Sequence, residues 1–240
     1  MTLSPTNHRR RSPLYRQHQA MNAEFFQQGD ALLVDHYGAS LGTEAGQAKS
    51  LGVVDLSCVA RLGFKGPEAS GWIQEQGLVI PELPNQAVET ADGTWVARLS
   101  ANEFMLLDNP ANPELTLSAL RRRHAHAMNG EPRPQAYLLE RGDSHACLAV
   151  TGEQAPDMFA KLCAIDLRGP HFANGSVAQT SVASSNAIVI RADRGNTPVF
   201  MLLFDISLAE YQWSCVLDAM QEFGGAPIGL TALQALSSDT

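Results

Sequence analysis

The sequence is poor in features that mark several common protein classes. Only four of its 240 residues are cysteines, and no two of them form a CxxC pair. This spacing excludes the usual zinc-binding patterns and the disulfide frameworks of small secreted domains. We therefore expect buried, reduced thiols in a cytoplasmic protein. The four residues are Cys58, Cys147, Cys163 and Cys215.

Long hydrophobic runs and a basic surface are also missing. No stretch of about 18 consecutive apolar residues occurs, so the sequence predicts no transmembrane helix. The basic residues Arg9, Arg10 and Arg11 precede polar residues rather than the apolar core of a signal, and we expect residues 1–11 to be a solvated leader. The 17 Lys and Arg residues against 25 Asp and Glu give a net charge of −8, which argues against a nucleic-acid partner.

Motifs for nucleotide, metal and hydrolase sites are absent as well. The sequence contains no phosphate loop, dinucleotide fingerprint, HExxH or GxSxG. His124 and His126 follow three consecutive arginines, 121–123, whose charge disfavours a metal cation, so we expect no metal site. The arginines either complement the dipole of a helix end or hold an anionic group or an acidic partner face.

The most informative feature is an internal duplication. The letters FMLL occur at residues 104–107 and again at 200–203. Upstream of them, the spacing Leu-x3-Gly-x2-Ala occurs at residues 62–69 and at 148–155. The hydrophobic pattern of each copy predicts a strand, a helix after a glycine turn, two further strands of which one is the apolar four-residue segment, and a second helix.

Two β-α-β-β-α copies predict an α+β fold. The half-repeats extend over about 53–130 and 135–224, and residues 225–240 form a terminal helix. Within the second copy, the alternating pattern predicts one strand at 181–191 and its return strand at 198–205.

Five stretches carry a family resemblance. They are Ser12-Pro13-Leu14-Tyr15-x-x-His18, Tyr37-Gly38 followed by Gly52-Val53-Val54-Asp55-Leu56-Ser57, Gly66-Pro67-Glu68-Ala69, Leu162-x-x-Ile165-Asp166-Leu167 and Pro227-Ile228-Gly229-Leu230-x-Ala232-Leu233. In this order they resemble the folate-binding region of the glycine-cleavage T-protein (aminomethyltransferase) superfamily, which includes the gamma subunit of heterotetrameric sarcosine oxidase. The resemblance implies a duplicated folate-binding fold for residues 12–240. We expect it to lack the C-terminal β-barrel of full T-proteins, as the gamma subunit does.

The sequence departs from this family at two carboxylates. The family's catalytic carboxylate falls on Gly93, so Asp92 is the candidate catalytic residue only with a one-residue shift of register. The family's folate-binding glutamate falls on Thr197, and the resemblance implies that Tyr37 and Arg191 line the folate cleft. A charge-assisted pair with a pterin ring contributes roughly 1.5–3 kcal/mol. We therefore expect tetrahydrofolate binding to be weakened about ten- to a hundredfold.

Two functions follow from the resemblance and its departures. The first is a gamma-type, non-catalytic subunit of a heteromeric sarcosine (N-methyl amino acid) oxidase or dehydrogenase, whose flavoprotein partner subunits hold the flavin. The alternative is a stand-alone tetrahydrofolate-dependent aminomethyl or one-carbon transferase that uses Asp92 as its base. A third possibility, a folate-binding factor of the iron–sulfur branch, lacks that branch's cysteine-containing segment.

Other carboxylates near the expected cleft could also bind an amine or a pterin-like ring. The sequence does not choose among them, although Asp55 and Ser57 are interpreted as bonding local backbone at a strand entry. The candidates are Asp35, Asp55, Asp92, Asp166 and Asp205.

Overall fold

The computed structural model describes residues 4–111 and 115–238, and the chain divides into two compact units. Unit 1 comprises Met1–Cys58, His145–Asn174 and Ala178–Thr240, and unit 2 comprises Val59–Ser144 and Gly175–Val177. Across the described ranges, no helix combines the length and apolarity needed to cross a membrane.

The helices and strands follow one another through the units in three blocks. The first block, in unit 1, contains a 3-10 helix (Pro5–Asn7), α1 (Tyr15–Ala20), β1 (Glu24–Gln28), β2 (Ala31–His36), α2 (Leu41–Ser50) and β3 (Gly52–Asp55). The second, in unit 2, contains β4 (Arg61–Lys65), α3 (Ala69–Glu75), β5 (Gln86–Glu89), β6 (Trp95–Ser100), β7 (Glu103–Leu107), α4 (Leu115–Met128), β8 (Tyr137–Glu140) and α5 (Arg141–Ser144). The third contains β9 (His145–Thr151), α6 (Ala155–Phe159), β10 (Val177–Val182), β11 (Ser185–Arg191), β12 (Val199–Asp205), a 3-10 helix (Ile206–Leu208), α7 (Ala209–Gln221), β13 (Ala226–Pro227), α8 (Leu230–Ala235) and a 3-10 helix (Leu236–Ser238).

The predicted duplication is present in the topology of the two larger sheets, whereas β1 and β2 form a separate two-stranded sheet. Unit 2 contains a five-stranded sheet in the order β5-β6-β7-β4-β8, and unit 1 contains a six-stranded sheet in the order β10-β11-β12-β9-β3-β13. Four strands of each sheet therefore repeat one pattern. The repeat even keeps its register, because Leu62 pairs with Leu106 and Leu148 pairs with Leu202. Each copy has three strands between its helices, one more than the sequence predicted.

Each unit has a hydrophobic core of its own. In unit 2, α3 and α4 cover one face of the sheet, where Phe64, Trp72 and Phe104 are buried. In unit 1, α7 packs its apolar side, including Trp213, against buried residues of β9 and β12 such as Phe200. Burial of this apolar surface is the main stabilising contribution in both units.

Both ends of the described chain differ from the structure that the sequence predicts for them. Residues 4–11, predicted to belong to a leader, include the buried Pro5, and Arg10 donates its backbone N–H to the carbonyl of Asp30. The C-terminal stretch, predicted as one helix over 225–240, contains β13 before α8 and a 3-10 helix after it. Residues 1–3 and 239–240 lie outside the described part of the chain.

The interpretation of residues 181–191 as one strand is wrong, because a hairpin turn interrupts the segment. Ala183 and Ser184 connect β10 to β11 with φ values of 46° and 61°. Two successive positive φ angles characterise the type I′ turn, which asparagine and glycine prefer. The Tyr211 hydroxyl donates to the Ala183 carbonyl at 2.9 Å, and the Gln212 side-chain amide donates to the Val182 carbonyl at 2.9 Å. Helix α7 therefore holds the turn in place.

Relieving the strained turn is expected to stabilise the protein. The double substitution Ala183→Asn and Ser184→Gly keeps the observed backbone while removing the cost of positive φ at two ordinary residues. We expect the free energy of unfolding to rise by about 1 kcal/mol, measured by urea denaturation. The same two residue changes inside helix α4, Ala119→Asn and Ser118→Gly, are the control and are expected to lower stability. A double variant no more stable than the wild type would contradict the turn assignment.

Candidate functional site

A buried carboxylate, Asp55, joins three separate parts of unit 1. It ends β3, is 6% exposed and accepts the backbone N–H of Ser57 through Oδ1 at 2.8 Å. Its Oδ2 accepts the hydroxyl of Ser12 and the Nε2–H of His18, the latter at 2.8 Å. Two of the stretches that carry the family resemblance therefore meet at this carboxylate.

The charge of Asp55 is stabilised by these donors. Burial alone raises the pKa of a carboxyl group, but the hydrogen bond and charge of His18, followed by the hydrogen bonds of Ser12 and Ser57, outweigh it. The pKa of Asp55 consequently lies below its usual value. The carboxylate is thus ionised and fully engaged, as a buried charge must be to avoid a large desolvation cost.

The network continues from His18 to Tyr37. The His18 ring is 1% exposed and packs edge-on against Trp213 at 5.3 Å between ring centroids. Its Nδ1 lies 2.8 Å from the Tyr37 hydroxyl. Burial raises the pKa of the Tyr37 phenol, and the charges of Asp55 and Glu44 raise it further. Tyr37 therefore remains a neutral phenol whose hydroxyl is bound to the imidazole.

A second buried carboxylate, Glu44, ties Tyr37 to the C-terminal segment. Glu44 lies on α2, which begins after Ser40, whose side chain accepts the backbone N–H of Thr43. Glu44 is 4% exposed, and its two oxygens accept the backbone N–H groups of Tyr37 at 2.6 Å and of Gly229 at 2.8 Å. A Cβ at position 229 would lie 1.7 Å from the Asp35 carbonyl, so only glycine brings this N–H to the carboxylate.

A pocket of about 320 Å³ opens beside Glu44 within unit 1. This volume is at the lower end of the range for small-molecule sites. The lining residues are Met21, Tyr37, Ala39, Thr43, Glu44, Gln47, Ala226, Pro227 and Ile228.

Arg191 is held by its neighbours at the end of β11. Its Nε donates to both carboxylate oxygens of Asp193, at 2.9 and 3.1 Å, and its Nη1 donates to the carbonyl of Phe172 at 2.6 Å. The guanidinium also lies 5.8 Å from the centroid of the Phe200 ring. Thr197, at the position of the family's folate-binding glutamate, is buried and closes a turn with Arg194 through two backbone hydrogen bonds.

Asp92 lies in unit 2, in the turn between β5 and β6, and is exposed. Its carboxylate accepts the Thr90 hydroxyl at 2.5 Å, the Thr94 backbone N–H at 3.2 Å and the Thr116 hydroxyl. Partial burial raises the pKa of Asp92, but the hydrogen bonds from Thr116, Thr90 and Thr94 outweigh it and lower that pKa to about 2. The neighbouring Gly93 has a φ of +84°, and a Cβ there would lie 2.3 Å from the Asn109 amide nitrogen.

The remaining charged candidates have local partners. Asp35 accepts the Thr231 hydroxyl, Asp205 accepts the backbone N–H and hydroxyl of Ser207, and Asp166 forms an exposed ion pair with Arg168. Arg121, in the basic run on α4, forms an exposed bidentate pair with Glu140 at 2.8 and 3.0 Å. No group of three metal-binding side chains occurs among the residues that the structure describes.

A family comparison accounts for these motifs together. The model of the GCVT N-terminal domain matches residues 14–240. The chain belongs to this family. The GCVT N-terminal domain therefore accounts for most of the described chain. Unit 1 contains the hydrogen-bond network in which Ser12, His18, Asp55 and Gly229 take part.

Curated relatives in the GCVT family are aminomethyltransferases. Those from Desulforamulus reducens and Streptomyces coelicolor are 23% and 26% identical, each over 95% of this chain. The chain spans 63% and 62% of their respective lengths.

Two solved structures share the fold. A chain of the heterotetrameric sarcosine oxidase from Corynebacterium sp. U-96 matches with a TM-score of 0.63 at 22% identity, over 90% of this chain and 97% of that one. The glycine cleavage system aminomethyltransferase T from Bartonella henselae matches with a TM-score of 0.70 at 20% identity, over 95% of this chain and 62% of that one. The predicted α+β, T-protein-like fold is confirmed.

The sequence predictions located only part of this site. Tyr37 was selected, and Asp55 was expected to bond local backbone, as it does with Ser57. The roles of His18 and Glu44 were missed. The available signals are that His18 ends one motif stretch and that Glu44 lies between Tyr37-Gly38 and Gly52. The contacts of His18 with Asp55 and of Glu44 with Gly229 span 37 and 185 residues, so no local pattern shows them.

Proposed function

We propose that this chain is a gamma-type, non-catalytic subunit of a heteromeric sarcosine (N-methyl amino acid) oxidase or dehydrogenase. The observation that carries the proposal is the likeness to a chain of heterotetrameric sarcosine oxidase, which is matched over 97% of its own length. In such a complex, flavoprotein partner subunits hold the flavin and carry out the oxidation. This chain then contributes a folded support rather than reacting groups.

The surroundings of Asp92 support a non-catalytic role. A general base works best when its pKa lies near the operating pH, whereas the pKa of Asp92 is about 2. Its oxygens are already bound to threonine donors. The adjacent position 93 cannot supply a catalytic carboxylate in place of Asp92, because the positive φ at Gly93 and the close Asn109 amide disfavour any side chain there.

The residues that the resemblance assigns to tetrahydrofolate fit this cofactor poorly. The Tyr37 hydroxyl is bound to His18, and the Nε and Nη1 of Arg191 donate to Asp193 and to the Phe172 carbonyl. Thr197 supplies no carboxylate for the pterin N–H groups. We therefore expect folate to bind weakly.

The proposal is tested by assembly. The tagged chain is co-expressed with the flavoprotein subunits of a heterotetrameric sarcosine oxidase, and the purified material is examined for bound flavin and sarcosine oxidation. We expect a complex of fixed stoichiometry that loses sarcosine oxidation when this chain is omitted. Flavoprotein subunits that assemble and oxidise sarcosine equally well without it would contradict the proposal.

A folate titration separates this function from the alternative, a stand-alone tetrahydrofolate-dependent transferase. Calorimetry of the purified chain with tetrahydrofolate is expected to give a dissociation constant weaker than about 100 μM. Tighter binding that is lost in Arg191→Ala would favour the transferase. The matched control is Arg168→Ala, because Arg168 likewise pairs with an aspartate two residues away but lies on the surface.

A further inference from the structure

The pocket beside Glu44 contains a buried carboxylate with no ion-pair partner among the described residues. Both oxygens of Glu44 accept backbone N–H groups, from Tyr37 and Gly229. Among residues 4–111 and 115–238, no lysine, arginine or histidine forms an ion pair with it. Buried carboxylates are normally paired with a cation, and a carboxylate has about four acceptor positions. Glu44, which lines the pocket, therefore has capacity for further donors.

The other polar side chains of the pocket do not supply the missing positive charge. The Gln47 amide nitrogen donates to the carbonyls of Leu51 and Gly224, at 2.8 and 2.9 Å. Both amide hydrogens are thereby used, and only the Gln47 carbonyl oxygen, an acceptor, remains. The hydroxyl of Tyr37 is bound to His18. The side-chain capacity left at Glu44 and Gln47 is therefore for accepting hydrogen bonds.

Apart from Thr43, whose hydroxyl is hydrogen-bonded to that of Ser40 at 2.9 Å, the rest of the pocket is apolar and small. Its other walls include Met21, Ala39, Pro227 and Ile228. A volume of about 320 Å³ corresponds to roughly ten water-sized groups at about 30 Å³ each. An occupant must therefore combine a short aliphatic body with a group that donates hydrogen bonds and carries positive charge.

We infer that this pocket binds an alkylammonium group, with its N–H donors directed at Glu44 and its carbon chain against the apolar walls. The net charge of −8 favours the approach of a cation. A free carboxylate on the same small molecule is disfavoured by the charge of Glu44, so a zwitterionic amino acid is a poorer occupant than a simple amine. This inference goes beyond the proposed function and does not depend on it.

The test uses the purified full chain and three probes of similar shape. We expect n-butylammonium to bind with a dissociation constant of about 1 mM, measured by ligand-detected NMR. Neutral n-butanol is expected to bind about tenfold or more weakly, because it lacks the charge-assisted hydrogen bond, and butyrate is expected not to bind. Equal binding of n-butanol and n-butylammonium would overturn the inference.

Three variants test whether n-butylammonium binds in this pocket or elsewhere on the surface. Glu44→Gln is expected to lower the affinity for n-butylammonium about tenfold or more. Because that substitution also disturbs two backbone hydrogen bonds, Ala39→Leu provides a second probe that fills the pocket and leaves Glu44 in place. Ala101→Leu, at an exposed turn of unit 2, is the matched control. Unchanged binding in Ala39→Leu would exclude this pocket as the site.

A last arm distinguishes two sources of the ammonium group. Nα-acetyl-lysine N-methylamide presents the same chain and charge as n-butylammonium but carries the peptide groups of a lysine within a protein. Binding at least as tight as that of the free amine would assign the pocket to a lysine side chain of a partner. Binding of the free amine alone would assign it to a free alkylammonium compound.

Discussion

Replacing Asp55 with alanine is expected to lower the free energy of unfolding by about 3–5 kcal/mol, measured by urea denaturation. The carboxylate accepts hydrogen bonds from Ser12, His18 and the backbone of Ser57 inside unit 1. Removing the carboxylate leaves the buried donors of Ser12, His18 and Ser57 without their acceptor. Breaking a buried pair by removing one partner typically costs about 3–5 kcal/mol of stability. A loss of this magnitude is a large share of the stability of an ordinary domain.

A surface aspartate of similar chemistry is the control for this variant. Asp166 also binds a cation and a nearby backbone N–H, both from Arg168, but solvent reaches the pair. Exposed ion pairs contribute little because water and salt screen them. We expect Asp166→Ala to unfold at the same urea concentration as the wild type. Equal effects of the two substitutions would contradict the central role assigned to Asp55.

The network also predicts how stability changes in acid. The pKa of Asp55 is lower in the folded than in the unfolded state, because the donors from His18, Ser12 and Ser57 outweigh the effect of burial. Its contribution is therefore complete above the unfolded value of about 3.9 and is lost as the pH falls towards the folded value. Asp55→Asn should flatten the acid limb of the stability profile relative to the wild type. An unchanged acid limb would show that other groups control acid unfolding.

The duplicated architecture could be predicted because the same spacing of apolar residues occurs in both copies. The repeated letters FMLL form β7 and β12, the central strands that pair with β4 and β9. Central strands are buried on both faces and therefore give a continuous apolar signal. Between the helices of each copy, the strands that the sequence missed, β5 and β10, lie at the edges of their sheets. They contain polar residues and so leave a weak pattern.

The turn at Ala183 and Ser184 escaped prediction for a different reason. Neither residue prefers positive φ, and the usual asparagine–glycine signal is absent. The conformation is imposed from α7, through Tyr211 and Gln212. Such tertiary support lies far away in sequence, so a local pattern cannot reveal it.

The candidate site shows the same limit. The family resemblance selected the stretches that contain Ser12, His18 and Asp55, and the fold brings them together over separations of up to 43 residues. Nothing local indicates which carboxylate becomes buried. Asp92 and Asp55 are the same residue type, yet threonines in an exposed turn hold one and an imidazole in the interior binds the other. Their roles as catalytic base or structural centre depend on tertiary contacts.

Replacing Glu44 with alanine is the second substitution expected to have a large effect. We expect the free energy of unfolding to fall by about 3 kcal/mol, measured by urea denaturation. Two backbone N–H groups, of Tyr37 and Gly229, lose a charged acceptor, and hydrogen bonds to charged groups each contribute roughly 1.5–3 kcal/mol. The contact at Gly229 spans 185 residues in sequence. Its loss should therefore also accelerate amide hydrogen exchange around α8.

An exposed glutamate separates the effect of burial from that of the bond itself. Glu68 also accepts a backbone N–H from a distant residue, Gln135, at 2.6 Å, but at the surface of unit 2. After Glu68→Ala, water can replace the lost acceptor, so we expect a much smaller change in stability. Equal losses in the two variants would mean that burial of Glu44 adds nothing. A large loss confined to Glu44→Ala, with faster exchange at α8, would establish this carboxylate as the link between the C-terminal segment and Tyr37.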